Sequence, residues 1–119
     1  MKTVLWISRH TMTDEQFCSL ERIAGEPVKL SCWKDTVEEL ESLADQIREA
    51  DLIAAVLPLH LMARLLEMAG DKPVLCSCAR REPTGRILTL EDGRQEAEYR
   101  YLHDGWEQIQ ELHVRIRKL

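Results

Sequence analysis

The chain has 119 residues, 45% hydrophobic and 5% aromatic, and its 16 Lys and Arg against 21 Asp and Glu give a formal net charge of −5. That length suffices for one domain, 1-119, burying roughly two-thirds of its unfolded surface without staples. The acidic balance speaks against coating DNA, which needs a basic face to release counterions. Its apolar runs are short and broken by charges, which excludes a membrane span and a secretory signal, so a cytoplasmic protein is expected.

Val4-Leu5-Trp6-Ile7 is an apolar run that breaks into Ser8-Arg9-His10-Thr11 and then into Thr13-Asp14-Glu15-Gln16. A buried strand, a polar turn and a helix start make the first βα corner of an open α/β sheet, where ligands ordinarily sit. Thr13 and Gln16 fit a capping box for a helix carrying Phe17, Leu20, Ile23 and Ala24 on one side, closed by Gly25. Val28 to Trp33 reads as a second strand. Thr36 and Glu39 fit another capping box, opening a helix with Val37, Leu40, Leu43, Ala44 and Ile47 at helical spacing. Leu52 to Leu57 is a continuous apolar run, the mark of a central parallel strand, and Pro58 stops it.

Leu61, Met62, Leu65, Leu66 and Ala69 predict a third helix ending at Gly70, and Pro73 to Cys78 a fourth strand. Successive strand-helix-strand crossovers imply a parallel sheet with right-handed connections. From Arg86 to Leu90 the pattern alternates, Glu91-Asp92-Gly93 reads as a turn, and Glu98 to Leu102 as a strand entering a second turn at His103-Asp104-Gly105. Leu112 to Arg117 alternates strictly as an edge strand would, although Trp106, Ile109, Leu112 and Ile116 also fit a helix. The expected architecture is α/β: a Rossmann-like three-layer domain whose parallel sheet of about four strands, in βα units over 1-80, is extended by an antiparallel tail over 81-119.

The 4 cysteines, at 18, 32, 76 and 78, have neither zinc-site spacing nor a phosphatase Cys-x5-Arg loop. They are expected as reduced core thiols, with Cys32 and one of Cys76 or Cys78 in strands. No metal or cofactor is implied.

In a parallel α/β sheet all strand carboxyl ends lie along one edge. The residues just past the expected strands are Ser8-Arg9-His10-Thr11, then Trp33-Lys34, then Pro58-Leu59-His60, then Arg80-Arg81. Cations and imidazoles thus collect on one edge of an acidic chain, and helix starts there add backbone N–H donors, which together would hold phosphates. Plainer readings stand beside this one. Arg9 can pair with a surface acid, His10 can be a turn residue, His60 can face solvent and Trp33 can simply pack. Only one of Arg80 and Arg81 is expected to enter a pocket, since neighbours in extended chain point to opposite faces. His103 and His113 are assigned no chemistry.

Arg9-His10-Thr11-Met12-Thr13-Asp14-Glu15-Gln16 after a strand resembles the small stand-alone CRISPR-associated ring nucleases, which have a Rossmann-like, CARF-type fold. Leu57-Pro58-Leu59-His60-Leu61 is similar to a segment in one branch of that family. The tail from Arg81 to Lys118, with its Glu91-Asp92-Gly93 turn and His113-Val114-Arg115-Ile116-Arg117, looks like the C-terminal part of another. The resemblance implies metal-independent cleavage of cyclic tetra-adenylate in a pocket on the two-fold axis of a homodimer. A ribose 2′-hydroxyl would attack the adjacent phosphorus and leave a 2′,3′-cyclic phosphate. On that reading Ser8, Arg9 and His10 form the catalytic set, with His10 as general acid or base. Thr11, Thr13, Lys34, Pro58, Leu59, His60 and Arg80 or Arg81 bind the ligand. Two alternatives stay open: a sensor or sponge that binds without turnover, and an interaction domain that uses its antiparallel tail.

Overall fold

Four successive apolar residues near the N-terminus bury both faces of one strand. In the computed structural model, which describes residues 1–113, 115 and 117–119, Lys2–Ile7 forms β1. Leu5 and Ile7 enter one apolar layer, and Val4 and Trp6 the other. This is the alternation of a pleated strand covered on both sides. β2 (Val28–Trp33) and β3 (Leu52–Ala55) flank it in parallel. β4 (Val74–Thr89) starts parallel to β3 and then pairs antiparallel with β5 (Gln95–Gln108), giving the order β2-β1-β3-β4-β5. The protein is thus α/β with a mixed, mostly parallel five-stranded sheet.

α1 (Asp14–Ala24) lays Leu20 and Phe17 on the Val4-Trp6 side. Its capping box is formed as its sequence predicts: Gln16 N–H donates to Thr13 Oγ1 at 3.1 Å, and Thr13 N–H to Gln16 Oε1 at 2.9 Å. Gly25, at φ 74°, closes the helix in a left-handed cap. On the opposite face lie a 3-10 turn (Leu40–Leu43), α2 (Ala44–Glu49) and α3 (Leu59–Ala69). Among the described residues no helix is long and apolar enough to cross a membrane.

Four expectations need correction. No helix opens at Thr36: Glu39 is extended, and Leu40 and Leu43 are buried from a 3-10 turn. The i, i+3 pair shares one side of such a turn, so burying both leucines overrides the local cap signal. The fourth strand does not end at Cys78 but runs on to Thr89, so Arg80 and Arg81 lie inside it. His103-Asp104-Gly105 is not a turn. Ala79 pairs with His103 and Ser77 with Trp106, so Asp104 and Gly105 together face Cys78 as a bulge, with Gly105 at φ 86°. The core-thiol expectation fails for Cys18 and Cys32, which are exposed, while Cys76 and Cys78 are half-buried and all are free.

Glu91-Asp92-Gly93 does turn the hairpin: Gly93 N–H donates to Leu90 O at 2.9 Å, and Gly93 sits at φ 87°. The expected strand at Leu112 to Arg117 includes Val114 and Ile116, which lie outside the described residues. The helix alternative loses Trp106, which is in β5. Ile109 and Leu112 pack against the α2-α3 layer.

β4 pairs in register with β3 only at Ile53↔Val74 and Ala54↔Leu75, so the rest of the β4-β5 hairpin projects as an arm beyond the carboxyl edge. The Cα radius of gyration is accordingly 17.3 Å, against about 13.5 Å for a rounded chain of this length.

Two tryptophans give a test of the core. Trp6 Nε1 donates to His10 O at 2.9 Å, whereas the buried Trp33 Nε1 has no partner among the described residues. Trp6→Phe should therefore cost about 1–3 kcal/mol and Trp33→Phe less than about 1 kcal/mol, because only the first breaks a bond. Urea unfolding of the two variants measures the difference. Equal losses would contradict it.

Candidate functional site

β1 ends where the sheet's carboxyl edge opens between β2 and β3. Ser8, 5% exposed, extends the strand by donating its N–H to Trp33 O at 3.1 Å, and Val56 N–H reaches Ile7 O at 2.9 Å. Ser8 Oγ then accepts from His10 N–H at 3.1 Å, and His10 O accepts from Trp6 Nε1. This side chain to backbone turn fixes the direction in which Arg9 leaves the strand.

Arg9 Nη2 donates to Thr36 Oγ1 across a cleft of about 210 Å³ lined by Ile7, Ser8, Arg9, Asp35, Thr36, Val37, Val56, Leu57 and Pro58. The partner is a neutral hydroxyl, so the guanidinium keeps its charge and four further donors for an anion. Pro58 is the N-cap of α3 and leaves its first turn without a side-chain cap or an acidic residue. The unpaired N–H groups and positive end of that helix therefore open beside the same cleft. Asp35, which follows β2, also lines the cleft and brings a negative charge to it.

The structure brings together Ser8, Arg9 and Pro58 from the expected set. Leu59 and His60 follow in the first turn of α3 and are exposed. Lys34 Nζ reaches Thr11 Oγ1 at 3.4 Å on the exposed rim. His10 contributes its backbone to the turn, but its imidazole is exposed and does not line the cleft. Thr13 is committed to capping α1. Arg80 and Arg81 stand apart: Cys76 Sγ touches Ala55 O, at the sheet edge, so Arg80 lies about 13 Å farther along the arm at the rise of a strand. Arg81 instead covers the ring of Tyr99, 4.1 Å from its centroid.

Sequence reasoning missed Asp35, Thr36 and Val37, because Thr36 carries the signature of a helix cap. It also missed a second polar cluster on the α1 side. Gln16 Nε2 donates to Ser77 Oγ at 3.0 Å, and Ser77 Oγ meets His103 Nδ1 at 3.1 Å. His103 Nε2 is buried without a partner among the described residues, with the ring edge-on to Trp106. Only the bulge at Asp104-Gly105 brings His103 beside Ser77, and no local motif announces a bulge. Burial raises the Cys76 thiol pKa, and burial with Glu107 raises that of Cys78, so neither is an activated nucleophile.

Compared with family models, curated proteins and solved structures, the chain matches none.

Proposed function

We propose that the strand-end cleft binds the phosphates of a small cyclic oligoadenylate, cyclic tetra-adenylate, and that the protein is a ring nuclease of CARF-like, Rossmann-like fold acting in type III CRISPR defence. The observation that carries the reading is Arg9, held by a neutral hydroxyl at the mouth of a cleft on the carboxyl edge of a parallel sheet. Ligands that are drug-sized or larger fill about 300–1,000 Å³, so a cleft of about 210 Å³ serves as half a site. A homodimer with two clefts face to face would complete it, and a symmetric ring suits that symmetry.

Cleavage needs no metal on this account. The ring's 2′-hydroxyl gives its proton to water as it bonds to the neighbouring phosphorus, the bond from phosphorus to the 5′-oxygen breaks and that oxygen takes a proton, and the product ends in a 2′,3′-cyclic phosphate. Arg9 stabilises charge on the phosphoryl oxygens, Ser8 holds the loop, and His10 supplies the proton once its ring turns inward. Binding without turnover is the second reading, favoured by the outward imidazole of His10. Incubation with labelled cyclic tetra-adenylate and EDTA decides between them. Linear products with cyclic phosphate ends support cleavage, while an intact ring that co-elutes with the protein supports a sensor or sponge.

Asp35 gives a further check. Its carboxylate opposes any phosphate in the cleft, so Asp35→Asn should tighten binding by about 3- to 10-fold, a gain of about 0.7–1.4 kcal/mol. Weaker binding would show that Asp35 orders the cleft instead.

A further inference from the structure

Ser77 carries a hydroxyl hydrogen that the chain itself does not use. Thr13 N–H donates to Gln16 Oε1 at 2.9 Å, which fixes the orientation of that amide, so the Gln16 atom 3.0 Å from Ser77 Oγ is an N–H donor. On its other side Ser77 Oγ meets His103 Nδ1 at 3.1 Å, while His103 Nε2 is buried without a partner among the described residues. A buried N–H left without an acceptor is rarer than a bare acceptor. The ring hydrogen therefore belongs on Nδ1, and Ser77 Oγ accepts it. With both lone pairs of the hydroxyl taken, its O–H has to donate elsewhere, and no described residue receives it.

Ser77 lines a groove of about 500 Å³ between the start of α1 and the base of the β4-β5 arm, a size that suits a small ligand. Tyr101 lines the same groove and is 71% exposed. Arg81 stands directly across the strand pair from Tyr101, yet its guanidinium is engaged over Tyr99, 4.1 Å from that ring's centroid. The groove thus offers an outward hydroxyl donor and an aromatic face. Asp14 and Glu15 also line it, so phosphates and carboxylates are repelled there while an amino group finds acceptors.

We propose that this groove binds an uncharged planar heteroaromatic ring with an amino group beside a bare ring nitrogen, the pattern on the pairing edges of cytosine and adenine. The ring stacks on Tyr101, its nitrogen accepts from Ser77 O–H, and its amino group donates to Asp14 or Glu15. Uracil has the same size and the reverse pattern, with an N–H where cytosine has the acceptor and a carbonyl where it has the amino group. It therefore meets the Ser77 donor with a donor and the carboxylates with an acceptor. None of the groove's residues lines the strand-end cleft, so the proposal stands independently of the cyclic oligoadenylate reading.

Titration of the full chain with cytidine, adenosine and uridine, followed by its amide NMR signals, tests this site. Cytidine and adenosine should saturate and shift the signals of Ser77, Tyr101 and His103, and uridine should bind at least about tenfold more weakly. Stacking on one aromatic ring makes Tyr101→Ala at least about fivefold weaker for cytidine, whereas Tyr101→Phe should keep the affinity. Ser77→Ala should cost about 3- to 10-fold. Arg9→Ala should change nothing. Circular dichroism checks that each variant is folded, and the exposed Tyr101 keeps the test open if Ser77→Ala is not. No saturable binding of cytidine or adenosine overturns the proposal. Equal affinity for uridine overturns it too, as does loss of cytidine binding in Arg9→Ala, which would place the nucleoside in the strand-end cleft.

Discussion

Arg9→Ala should weaken binding of cyclic tetra-adenylate by about 10- to 150-fold while leaving the unfolding midpoint within experimental error of the wild type. A hydrogen bond to a charged group contributes about 1.5–3 kcal/mol, and a guanidinium facing phosphate gives bidentate bonds of this kind. Arg9 is exposed and bonded only to Thr36 among the described residues, so its removal takes little from the fold. Arg9→Lys should recover part of the affinity, because the ammonium keeps the charge without the planar fork. Thr36→Val should act in the same direction with a smaller effect, by freeing the guanidinium to wander. Calorimetric titration separates the three variants. A large loss of stability in Arg9→Ala with unchanged affinity would place the residue in the fold and outside the site.

Leu43→Ala should destabilise the protein by about 2–5 kcal/mol, the cost of a large cavity in a closed core. Leu43 is fully buried, as is Leu40 beside it in the 3-10 turn, and both join Leu5, Ile7 and Ile53 in one apolar layer. A loss of that size is a large share of the roughly 5–15 kcal/mol that holds a domain together. Thr36→Ala supplies the contrast. A true helix cap would lose about 1 kcal/mol, whereas here Thr36 touches Arg9 and no helix begins beside it. Urea unfolding should therefore show a large shift for Leu43→Ala and almost none for Thr36→Ala. The reverse ranking would restore the longer helix that the local sequence predicts.

Those two positions also show where the sequence is legible. β1 and β3 are readable because both faces are buried and their core residues are apolar without interruption, although β3 stops at Ala55 rather than at the expected Leu57 and leaves Val56 exposed. α1 is readable from both ends, since a capping box and a left-handed glycine act through neighbours in the chain. The segment from Asp35 to Leu43 is different. Its cap-like residues are satisfied by other partners or left extended, and its shape is set by the distant core that takes Leu40 and Leu43.

Glycines mislead for a related reason. Gly93 and Gly105 have nearly the same φ, 87° and 86°, yet one closes a hairpin and the other makes a bulge inside a strand. A positive φ is legible in the sequence, but the strand pairing that gives it meaning is not. The same pairing carries β4 beyond its expected end and takes Arg80 and Arg81 out of the candidate site. The placing of Ser8 and Arg9 at the candidate cleft is legible because a strand, a polar turn and a helix follow in immediate succession. Thr36 and Asp35 reach it from another loop, and that approach depends on the packing of β2 against β1.

The central claim is that two strand-end clefts together hold one cyclic oligoadenylate. Isothermal titration of the wild-type chain with cyclic tetra-adenylate in EDTA at low temperature tests it most directly, before any slow cleavage matters. The account predicts saturable heat with one ring for every two chains and loss of that heat in Arg9→Ala. No heat at any concentration, or equal binding by the Arg9→Ala variant, would contradict it.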